Sequence, residues 1–436
     1  MPPALLALAM AAFAIGTTEF MIVGLIPTIA RSLSVSVPAA GLLVSSYALA
    51  VTIGAPTVTA FTGHLPRRAL AIRIMGLFTF GNLIAAFAPV YGVLLAGRVV
   101  TGVAHGVFFS IGAAIAVSLV DRSRASRVVA LVFAGLTVAM VVGVPLGTFV
   151  GQQLGWRAPF LAVAALGAIA TAALGKLLPK QIPHAPPARL VSQFALIGKS
   201  RLLALYLVAS LGFGAPFVVF TFLSPLMTEV THVSEATVSL ALMVFGIAAV
   251  VGNLAGGKLG DVLGRRQALT LALAGLILTL VALPITAPHT EAMFVNLFAW
   301  GICNFCVAPI VQAGVVAVAE DEMPASVATA SGFNIAAFNL GISAASAVGG
   351  ALVAGPGVMA TPWAAASAAT VALVTVRYAG SPERQAASDS WLISRLKRQP
   401  FQPGARSQVC AGQFRCVAAA SDRTTREAAN RLNQEV

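Results

Sequence analysis

Residues 257–266, Gly257-Lys258-Leu259-Gly260-Asp261-Val262-Leu263-Gly264-Arg265-Arg266, form a polar and basic break between two long apolar stretches. Residues 63–68, Gly63-His64-Leu65-Pro66-Arg67-Arg68, form a similar break earlier in the chain, with the same leading glycine and closing arginine pair. The earlier break follows the second apolar stretch, and the later break follows the eighth. Equivalent breaks at this spacing predict a parallel internal repeat of two six-span halves.

The apolar content of the chain predicts a membrane protein. Hydrophobic residues make up 58% of the 436 positions, charged residues make up 9%, and the mean hydropathy is +0.91. Soluble domains carry about a quarter charged residues, whereas a run of about 20 apolar residues crosses a hydrocarbon core of about 30 Å. The composition therefore excludes a water-soluble globular protein. Twelve spans are predicted, at 5–30, 38–61, 69–89, 92–119, 127–151, 158–178, 202–228, 235–257, 267–287, 292–319, 327–353 and 358–377.

The basic residues predict the orientation in the membrane. Alternate connections between spans carry fourteen Lys and Arg residues, whereas the opposite connections carry only Arg31 and Arg157. Because basic loops stay on the cytoplasmic side, we expect a multi-pass protein of the inner membrane with both termini cytoplasmic. The fourteen are Arg67, Arg68, Arg73, Arg122, Arg124, Arg127, Lys176, Lys180, Arg189, Lys199, Arg201, Lys258, Arg265 and Arg266. The formal net charge of +13 thus reflects the orientation of the loops in the membrane. The sequence lacks a basic patch interleaved with aromatic residues, which would indicate binding to nucleic acid.

A long hydrophilic break at 179–200 divides the spans six and six. We therefore expect an N-terminal bundle at 1–178, a cytoplasmic linker at 179–200 and a C-terminal bundle at 201–377. A basic cytoplasmic tail is expected at 378–436, and its composition favours disorder. Residues 389–398 could instead form a short basic helix at the lipid interface.

Four motifs carry a family resemblance. They are the opening Gly16-Thr17-Thr18-Glu19-Phe20-Met21-Ile22-Val23-Gly24-Leu25-Ile26-Pro27, the break at 257–266, Arg98-Val99-Val100-Thr101-Gly102 in the fourth span, and Gly135, Gly143, Pro145, Gly147 and Gly151 in the fifth. Over about residues 4–377 the chain resembles the major facilitator superfamily, in its twelve-span drug/proton antiporter branch. The opening is similar to the arabinose-efflux-permease-like and chloramphenicol-exporter groups. The first-half break departs from the pattern, because Pro66-Arg67-Arg68 stands where the full motif carries an acid and a second glycine.

The resemblance implies an all-α membrane protein with twelve transmembrane helices in two pseudo-symmetric six-helix bundles, both termini being cytoplasmic. It also implies a monomer that moves a small-molecule substrate and protons across the lipid bilayer without a cofactor or metal. The conformational motif would comprise Gly102, Gly143, Pro145, Gly147, Gly257, Asp261, Gly264, Arg265 and Arg266. Asp261, Arg265 and Arg266 would form a conformational latch as well as a topology-setting loop. The glycines at 143, 147 and 151 predict close helix packing, on a surface along which two helices could slide.

Two charged residues lie well inside the spans, Glu19 in the first and Arg98 in the fourth. Burying a charge there costs roughly 2.5–3.5 kcal/mol on insertion scales, so both are functional candidates. Helix rise places Glu19 between Arg98 and His105 in depth, and Arg98 and His105 share one helix face. In the family's fold the first and fourth helices border the cavity, so a Glu19–Arg98–His105 proton-coupling cluster is expected. The alternatives are a Glu19–Arg98 pair that only joins two helices and a His105 that only hydrogen-bonds a neighbouring helix.

Polar residues in the later spans are candidates for the substrate cavity. They are Asn304 and Gln312 in the tenth span and Asn334 and Asn339 in the eleventh. Each could bind cargo or hydrogen-bond a neighbouring helix. Cys303 and Cys306 form a CxxC in an apolar stretch with no ligating His nearby, which favours packing over metal or redox chemistry.

Other classes of membrane protein fit the sequence less well. Gly198-Lys199-Ser200 has the end of a phosphate-binding loop, but Gln193 stands at the position of its first glycine, which argues against an ATP-driven pump. The sequence lacks the paired intramembrane acids and the nucleophile–base spacing that would indicate an enzyme. It also lacks the repeated filter loops that would indicate a channel. We expect a secondary active transporter that couples proton entry to efflux of a small molecule such as a drug or sugar. An uncoupled facilitator, or a sugar or metabolite uniporter, remains the alternative, and the cargo and direction stay open.

Overall fold

The structure is a computed structural model that describes residues 3–62, 65–120, 125–182, 196, 198–323 and 326–378. Within these ranges the regular structure is entirely helical. Twelve helices there are long and apolar enough to cross a membrane, so the twelve predicted spans are confirmed. All of them belong to one compact unit.

We number the twelve spanning helices in chain order. The first half contains α1 Pro3–Leu33, α2 Val37–Thr62, α3 Arg67–Ala86, α4 Tyr91–Ser118, α5 (Ala125–Val138, a π-helical turn Ala139–Gly143, and Val144–Leu154) and α6 Arg157–Leu177. The second half contains α7 (Ser200–Val208, a π-helical turn Ala209–Gly214, and Phe217–Phe220), a short helix Leu223–Glu229, α8 Glu235–Leu263, α9 Arg265–Thr286, α10 Thr290–Glu322, α11 Val327–Ala354 and α12 Thr361–Tyr378.

Proline and glycine set several helix boundaries. Pro89 lies between α3 and α4, and a Gly-Pro-Gly sequence at 355–357 lies between α11 and α12. Gly264 separates α8 from α9 as a single residue with a φ of 77°. Glycine adopts this left-handed conformation without strain, which allows the abrupt reversal between the two helices.

The π-helical turns in α5 and α7 were not predicted from the sequence. Each turn ends at a glycine two residues before a proline, with Gly143 before Pro145 and Gly214 before Pro216. A proline inside a helix has no N–H to donate and crowds the preceding turn, and a widened turn accommodates that misfit. The predicted spans 127–151 and 202–228 are therefore each interrupted near their middle.

The helices of each half pack mainly within that half. In the first half α2 packs against α4, α3 against α4 and α6, and α1 against α5. In the second half α8 packs against α10, α9 against α10 and α12, and α7 against α11. Large apolar side chains remain on the outside, such as Leu254 and Ile285, which are 73% and 75% exposed. In a membrane these side chains face lipid.

The two halves meet along α2 with α11 and along α5 with α8. We call the end of the bundle where α1 ends and α2 begins the Arg31 end, and the opposite end the linker end. Four polar contacts between the halves lie between the Arg31 end and the middle of the helices. They join Arg31 with Glu235, Gln152 with Ser239, Ser45 with Ser343, and Thr52 with the carbonyl of Ala336.

The break at 257–266 lies at the linker end. Asp261, Gly264 and Arg266 are exposed. Arg265 packs over Gly314 of α10, where an added Cβ would lie 2.5 Å from the Arg265 Cδ. An added Cβ at Gly257 would have no neighbour within 4 Å, so packing does not require glycine there. The expected linker at 179–200 is described only in part, and the expected tail beyond Tyr378 lies outside the described residues.

Candidate functional site

Glu19 lies on α1 among residues that face three different helices. Thr17 packs against Gly143 of α5, and the hydroxyl of Thr18 donates to Oδ1 of Asn82 on α3 at 2.8 Å. Glu19 faces α4, where His105 lies. Successive residues of an α-helix point in directions about 100° apart, which accounts for this divergence. The Glu19 side chain is 9% exposed, so its carboxylate is almost completely enclosed.

His105 lies beside the Glu19 carboxylate. Oε2 of Glu19 is 3.8 Å from Nδ1 of His105, whose side chain is 6% exposed. This distance is too long for a direct hydrogen bond, although the pair attracts when His105 is protonated. The same Nδ1 lies 2.9 Å from the hydroxyl of Tyr47 on α2. The structure thus brings Glu19 and His105 together.

Arg98 is fully buried on α4 and binds backbone carbonyls. Nη1 donates to the carbonyl of Thr18 at 2.7 Å, and Nη2 donates to that of Glu19 at 3.4 Å. Nε donates to the carbonyl of Leu43 on α2 at 3.3 Å. The guanidinium also lies over the ring of Tyr47, 4.1 Å from its centroid.

These contacts differ from the simple Glu19–Arg98 side-chain pair considered from the sequence. Arg98 connects α4 to the backbones of α1 and α2, and its hydrogen bonds leave the Glu19 carboxylate without a directly bound cation. Backbone carbonyls solvate the guanidinium in place of water, because a buried charge must be hydrogen-bonded. The charges of Arg98 and Glu19 still interact through the low-dielectric interior of the bundle.

Tyr47 is a member of this site that the sequence analysis missed. Its hydroxyl contacts His105 and its ring supports Arg98. Tyr47 reaches both because α4 approaches α2 closely at Gly102, where an added Cβ would lie 2.5 Å from the Tyr47 carbonyl oxygen. A single tyrosine in an apolar span is a weak sequence signal, and only the pairing of α2 with α4 reveals its partners. We call Glu19, Tyr47, Arg98 and His105 the buried cluster.

The buried cluster combines an acid, an imidazole and a hydroxyl with a fixed cation. Burial opposes the ionised form of a carboxyl, whereas a nearby cation favours it. Burial and the nearby Arg98 charge therefore act on the Glu19 carboxyl in opposite directions. Among the residues that the structure describes, no three His, Cys, Asp or Glu side chains gather as a metal site.

The glycine ridge of α5 packs along α1. Gly143, Gly147 and Gly151 face Thr17, Met21 and Leu25 in turn, and Pro145 lies within the ridge. An added Cβ would lie 2.1 Å from the Thr17 hydroxyl at Gly143 and 2.5 Å from Leu25 Cδ2 at Gly151. The predicted close packing is present, on the helix that carries Glu19. Sliding of the two helices stays a prediction.

The four polar candidates of the second half do not share one environment. Nδ2 of Asn334 donates to Oε1 of Gln312 at 2.6 Å, which joins α11 to α10. Asn339 donates to the carbonyl of Ile335 on its own helix. The carboxamide oxygens of Asn304, Asn334 and Asn339 are buried without a hydrogen-bond partner.

The chain is similar to known membrane transport proteins. The sequence profile of the Major Facilitator Superfamily matches residues 8–329 and 202–420. The inner membrane transport protein YdhP of Escherichia coli (strain K12) is 39% identical over 375 residues, covering 85% of this chain and 94% of that protein. The chloramphenicol resistance protein of Streptomyces lividans is 35% identical over 353 residues, covering 79% of this chain and 87% of that protein.

A solved structure shares the fold. It belongs to a bacterial homologue of the human lysosomal transporter Spinster, with a TM-score of 0.65 and 16% sequence identity. The match covers 92% of this chain and 98% of that one. The family resemblance inferred from the motifs is confirmed. With its twelve spanning helices and these relatives, the chain belongs to the Major Facilitator Superfamily of transporters and is a multi-pass protein of the inner membrane.

Proposed function

We propose that this transporter is a proton-coupled antiporter that exports a small molecule. The observation that supports the proposal is the environment of Glu19. Its carboxyl is the one acid at mid-membrane depth among the described residues, and it lies 3.8 Å from His105 in a nearly enclosed site. Acids at such positions in membrane proteins mark proton relays and ion pathways.

Protonation of Glu19 would change the charge of the buried cluster. When Glu19 is ionised and His105 is neutral, the carboxylate and the Arg98 guanidinium offset each other. When Glu19 is protonated, the Arg98 charge stands alone. Because an uncompensated buried charge is costly, the two forms favour different arrangements of α1, α2 and α4. A proton that moves inward across 100 mV supplies roughly 2.3 kcal/mol, which can be used to move cargo outward.

The two halves provide the moving parts for alternating access. Two helix pairs of the first half have counterparts in the second half. The packing of α2 against α4 corresponds to that of α8 against α10, and the packing of α3 against α6 corresponds to that of α9 against α12. This recurrence supports two pseudo-symmetric bundles at 1–178 and 201–377. The polar contacts between the halves hold the Arg31 end together. The distribution of basic residues in the sequence favours a cytoplasmic location for the linker end, both termini and residues 179–200 and 378–436.

The glycine ridge and the break at 257–266 have roles in this motion. The α5 ridge lets α1 slide with little obstruction, and Asp261, Arg265 and Arg266 act as a latch at the linker end. The transporter works as a monomer in this scheme. Its cargo is a small molecule such as a drug or sugar, and the name of the Streptomyces relative supports a drug.

Everted membrane vesicles test the proposal. A pH-sensitive dye inside energised vesicles reports proton release when chloramphenicol is added. We expect release with the unmodified protein and none with Glu19→Gln at the same amount of protein. Glu291→Gln, which changes an exposed acid at the start of α10, is the matched control and should retain release.

Two results would contradict the proposal. Full transport with proton release in Glu19→Gln would remove Glu19 from coupling. Transport that continues unchanged after an uncoupler collapses the pH gradient would instead identify an uncoupled facilitator.

A further inference from the structure

The turn that leads into α2 and the turn that leads into α8 have the same backbone features. Ser34 in the first turn and His232 in the second have φ angles of 53° and 57°. Two residues later, Ser36 and Ser234 each accept a hydrogen bond at 3.3 Å from the backbone N–H three residues further on. A positive φ is uncommon outside glycine, and serine caps of this kind begin helices. The first connection of each half therefore takes the same form.

A cavity of about 690 Å³ lies between these two turns at the Arg31 end. Each turn contributes a valine and its capping serine, Val35 with Ser36 and Val233 with Ser234. The other walls come from both halves and are Pro27, Ala30 and Arg31 of α1, Val37 of α2, Thr228 of the short helix and Glu235 of α8. Pockets for drug-sized ligands span about 300–1,000 Å³, so this cavity is large enough for one. We call it the Arg31 pocket.

The Arg31 pocket contains the ion pair that joins the halves. Glu235 is the first residue of α8, directly after the capping Ser234, and its side chain is 34% exposed. The Arg31 side chain is 68% exposed, so its guanidinium lies mostly in solvent. An ion pair this exposed contributes little to stability. A ligand cation that also packs against the pocket wall can therefore take the place of Arg31 beside the Glu235 carboxylate.

The formal charges at the Arg31 end favour a cation. With His counted as neutral, the described residues there include three acids, Glu229, Glu235 and Glu291, and two arginines, Arg31 and Arg157. Glu229 is exposed and directly follows Thr228, which lines the Arg31 pocket. A surface with an excess of one charge attracts ligands of the opposite charge. The rest of the pocket wall is largely apolar, so a ligand with a single charge and small apolar groups suits it.

We propose that the Arg31 pocket is a second ligand site, which binds a small organic monocation and holds the Arg31 end closed. The charged group lies beside the Glu235 carboxylate, and the apolar groups pack against Val35, Val37 and Val233. Because the walls come from both halves, the bound cation joins them. It opposes the separation of the two turns that release of cargo at this end requires. The binding is independent of the proposed export function, whereas the effect on transport rests on it.

Titration calorimetry on the purified full-length protein tests the binding with three probes of similar size. Benzyltrimethylammonium carries a permanent positive charge on a benzyl group, benzyl alcohol is neutral, and benzenesulfonate is an anion. We expect benzyltrimethylammonium to bind, benzyl alcohol to bind about threefold to tenfold more weakly and benzenesulfonate not to bind.

Three variants of the pocket wall have different expected effects on benzyltrimethylammonium binding. Glu235→Gln removes the carboxylate charge and should weaken binding about threefold to fivefold. Arg31→Gln removes the competing cation and should strengthen binding about twofold to fivefold. Val233→Trp fills the cavity and should abolish binding. General damage would weaken binding in all three, so the gain in Arg31→Gln identifies competition for Glu235.

Controls separate the Arg31 pocket from other acids. Glu291→Gln changes an exposed acid at the same end that does not line the pocket, and Glu19→Gln changes the acid of the buried cluster. Both should bind benzyltrimethylammonium like the unmodified protein. Normal binding in Glu235→Gln, or loss of binding in Glu19→Gln, would overturn the assignment. Preference for benzenesulfonate, or no binding of benzyltrimethylammonium, would also overturn it.

Everted vesicles test the effect on transport, because their lumen faces the Arg31 end in the expected orientation. Benzyltrimethylammonium crosses membranes slowly, so it can be confined to the lumen or to the bath. Cation in the lumen should slow chloramphenicol-driven proton release severalfold, and Glu235→Gln should reduce this inhibition. Inhibition only from the bath, unchanged in Glu235→Gln, would place the cation at another site.

Failure of this proposal differs from failure of proton coupling. Binding that depends on Glu235, in a protein that releases no protons, keeps the ligand site and removes the antiport mechanism. Proton release that depends on Glu19, in a protein that binds no benzyltrimethylammonium, keeps the antiport mechanism and removes the ligand site.

Discussion

Glu19 and Phe20 are consecutive residues of α1 that contact opposite halves of the transporter. The Glu19 carboxylate lies 3.8 Å from His105 in the first half. The ring of Phe20 lies 6.0 Å from that of Phe217 and 6.4 Å from that of Phe220 in the second half. Any movement of α1 at the buried cluster would therefore also move a ring packed against Phe217 and Phe220 of α7. Under the proposed function, this neighbouring placement gives protonation of Glu19 a short physical route to the second half.

Phe20→Leu tests that path. Leucine preserves an apolar side chain but removes the ring contacts with the second half, so cargo export should weaken while the buried cluster stays intact. We expect chloramphenicol binding to change less than twofold and the chloramphenicol-driven proton release of vesicles to fall severalfold. Phe108→Leu is the matched control, because Phe108 is a buried ring within the first half. Equal losses in both variants would show general destabilisation rather than a lost connection.

Tyr47→Phe tests the hydroxyl in the buried cluster. Phenylalanine keeps the ring under Arg98 but removes the 2.9 Å contact with His105 Nδ1. A buried hydrogen bond contributes about 0.5–1.5 kcal/mol, which corresponds to a few-fold change in a protonation equilibrium. We expect the pH profile of antiport to shift by several tenths of a pH unit while the maximal rate is largely kept.

Tyr47→Leu provides the comparison for that shift. It removes both the hydroxyl and the support for the Arg98 guanidinium, and it should reduce folded protein as well as transport. An identical pH profile for the unmodified protein and Tyr47→Phe would exclude the hydroxyl from proton handling.

The sequence predicted the spans and the mid-membrane charges because both follow from hydropathy and from the cost of burying charge. It did not predict which atoms bind Arg98, because these are backbone carbonyls of α1 and α2. Every residue has a backbone carbonyl, so residue types do not reveal which ones accept the hydrogen bonds. Tyr47 was missed for a related reason, because its partners depend on how closely α4 approaches α2 at Gly102. Gln312 and Asn334 were each identified as polar candidates, but their 2.6 Å pairing depends on the rotation of α10 and α11.

Gly341→Ala tests the contact between α7 and α11. An added Cβ at Gly341 would lie 2.1 Å from the carbonyl oxygen of Ser210, in the π-helical turn of α7. Neither backbone can yield easily, so we expect a destabilisation of about 1–3 kcal/mol, the usual cost of overpacking. Gly332→Ala on the same helix is the control, because an added Cβ there has no neighbour within 4 Å. Comparable thermal unfolding midpoints for the two variants would contradict this account of the contact.

Arg31 and Glu235 form an ion pair across the halves at the Arg31 end. Their side chains are 68% and 34% exposed, so solvent screening limits the pair to about 0–1 kcal/mol. If the pair helps to hold this end closed, Arg31→Glu should place two acids together and lower chloramphenicol export about twofold to fivefold. The double variant Arg31→Glu/Glu235→Arg restores the opposite charges and should recover most of the rate. High salt should narrow the difference between the unmodified protein and Arg31→Glu, because it screens exposed charges. A double variant no better than the single one would show that the pair does not hold this end closed.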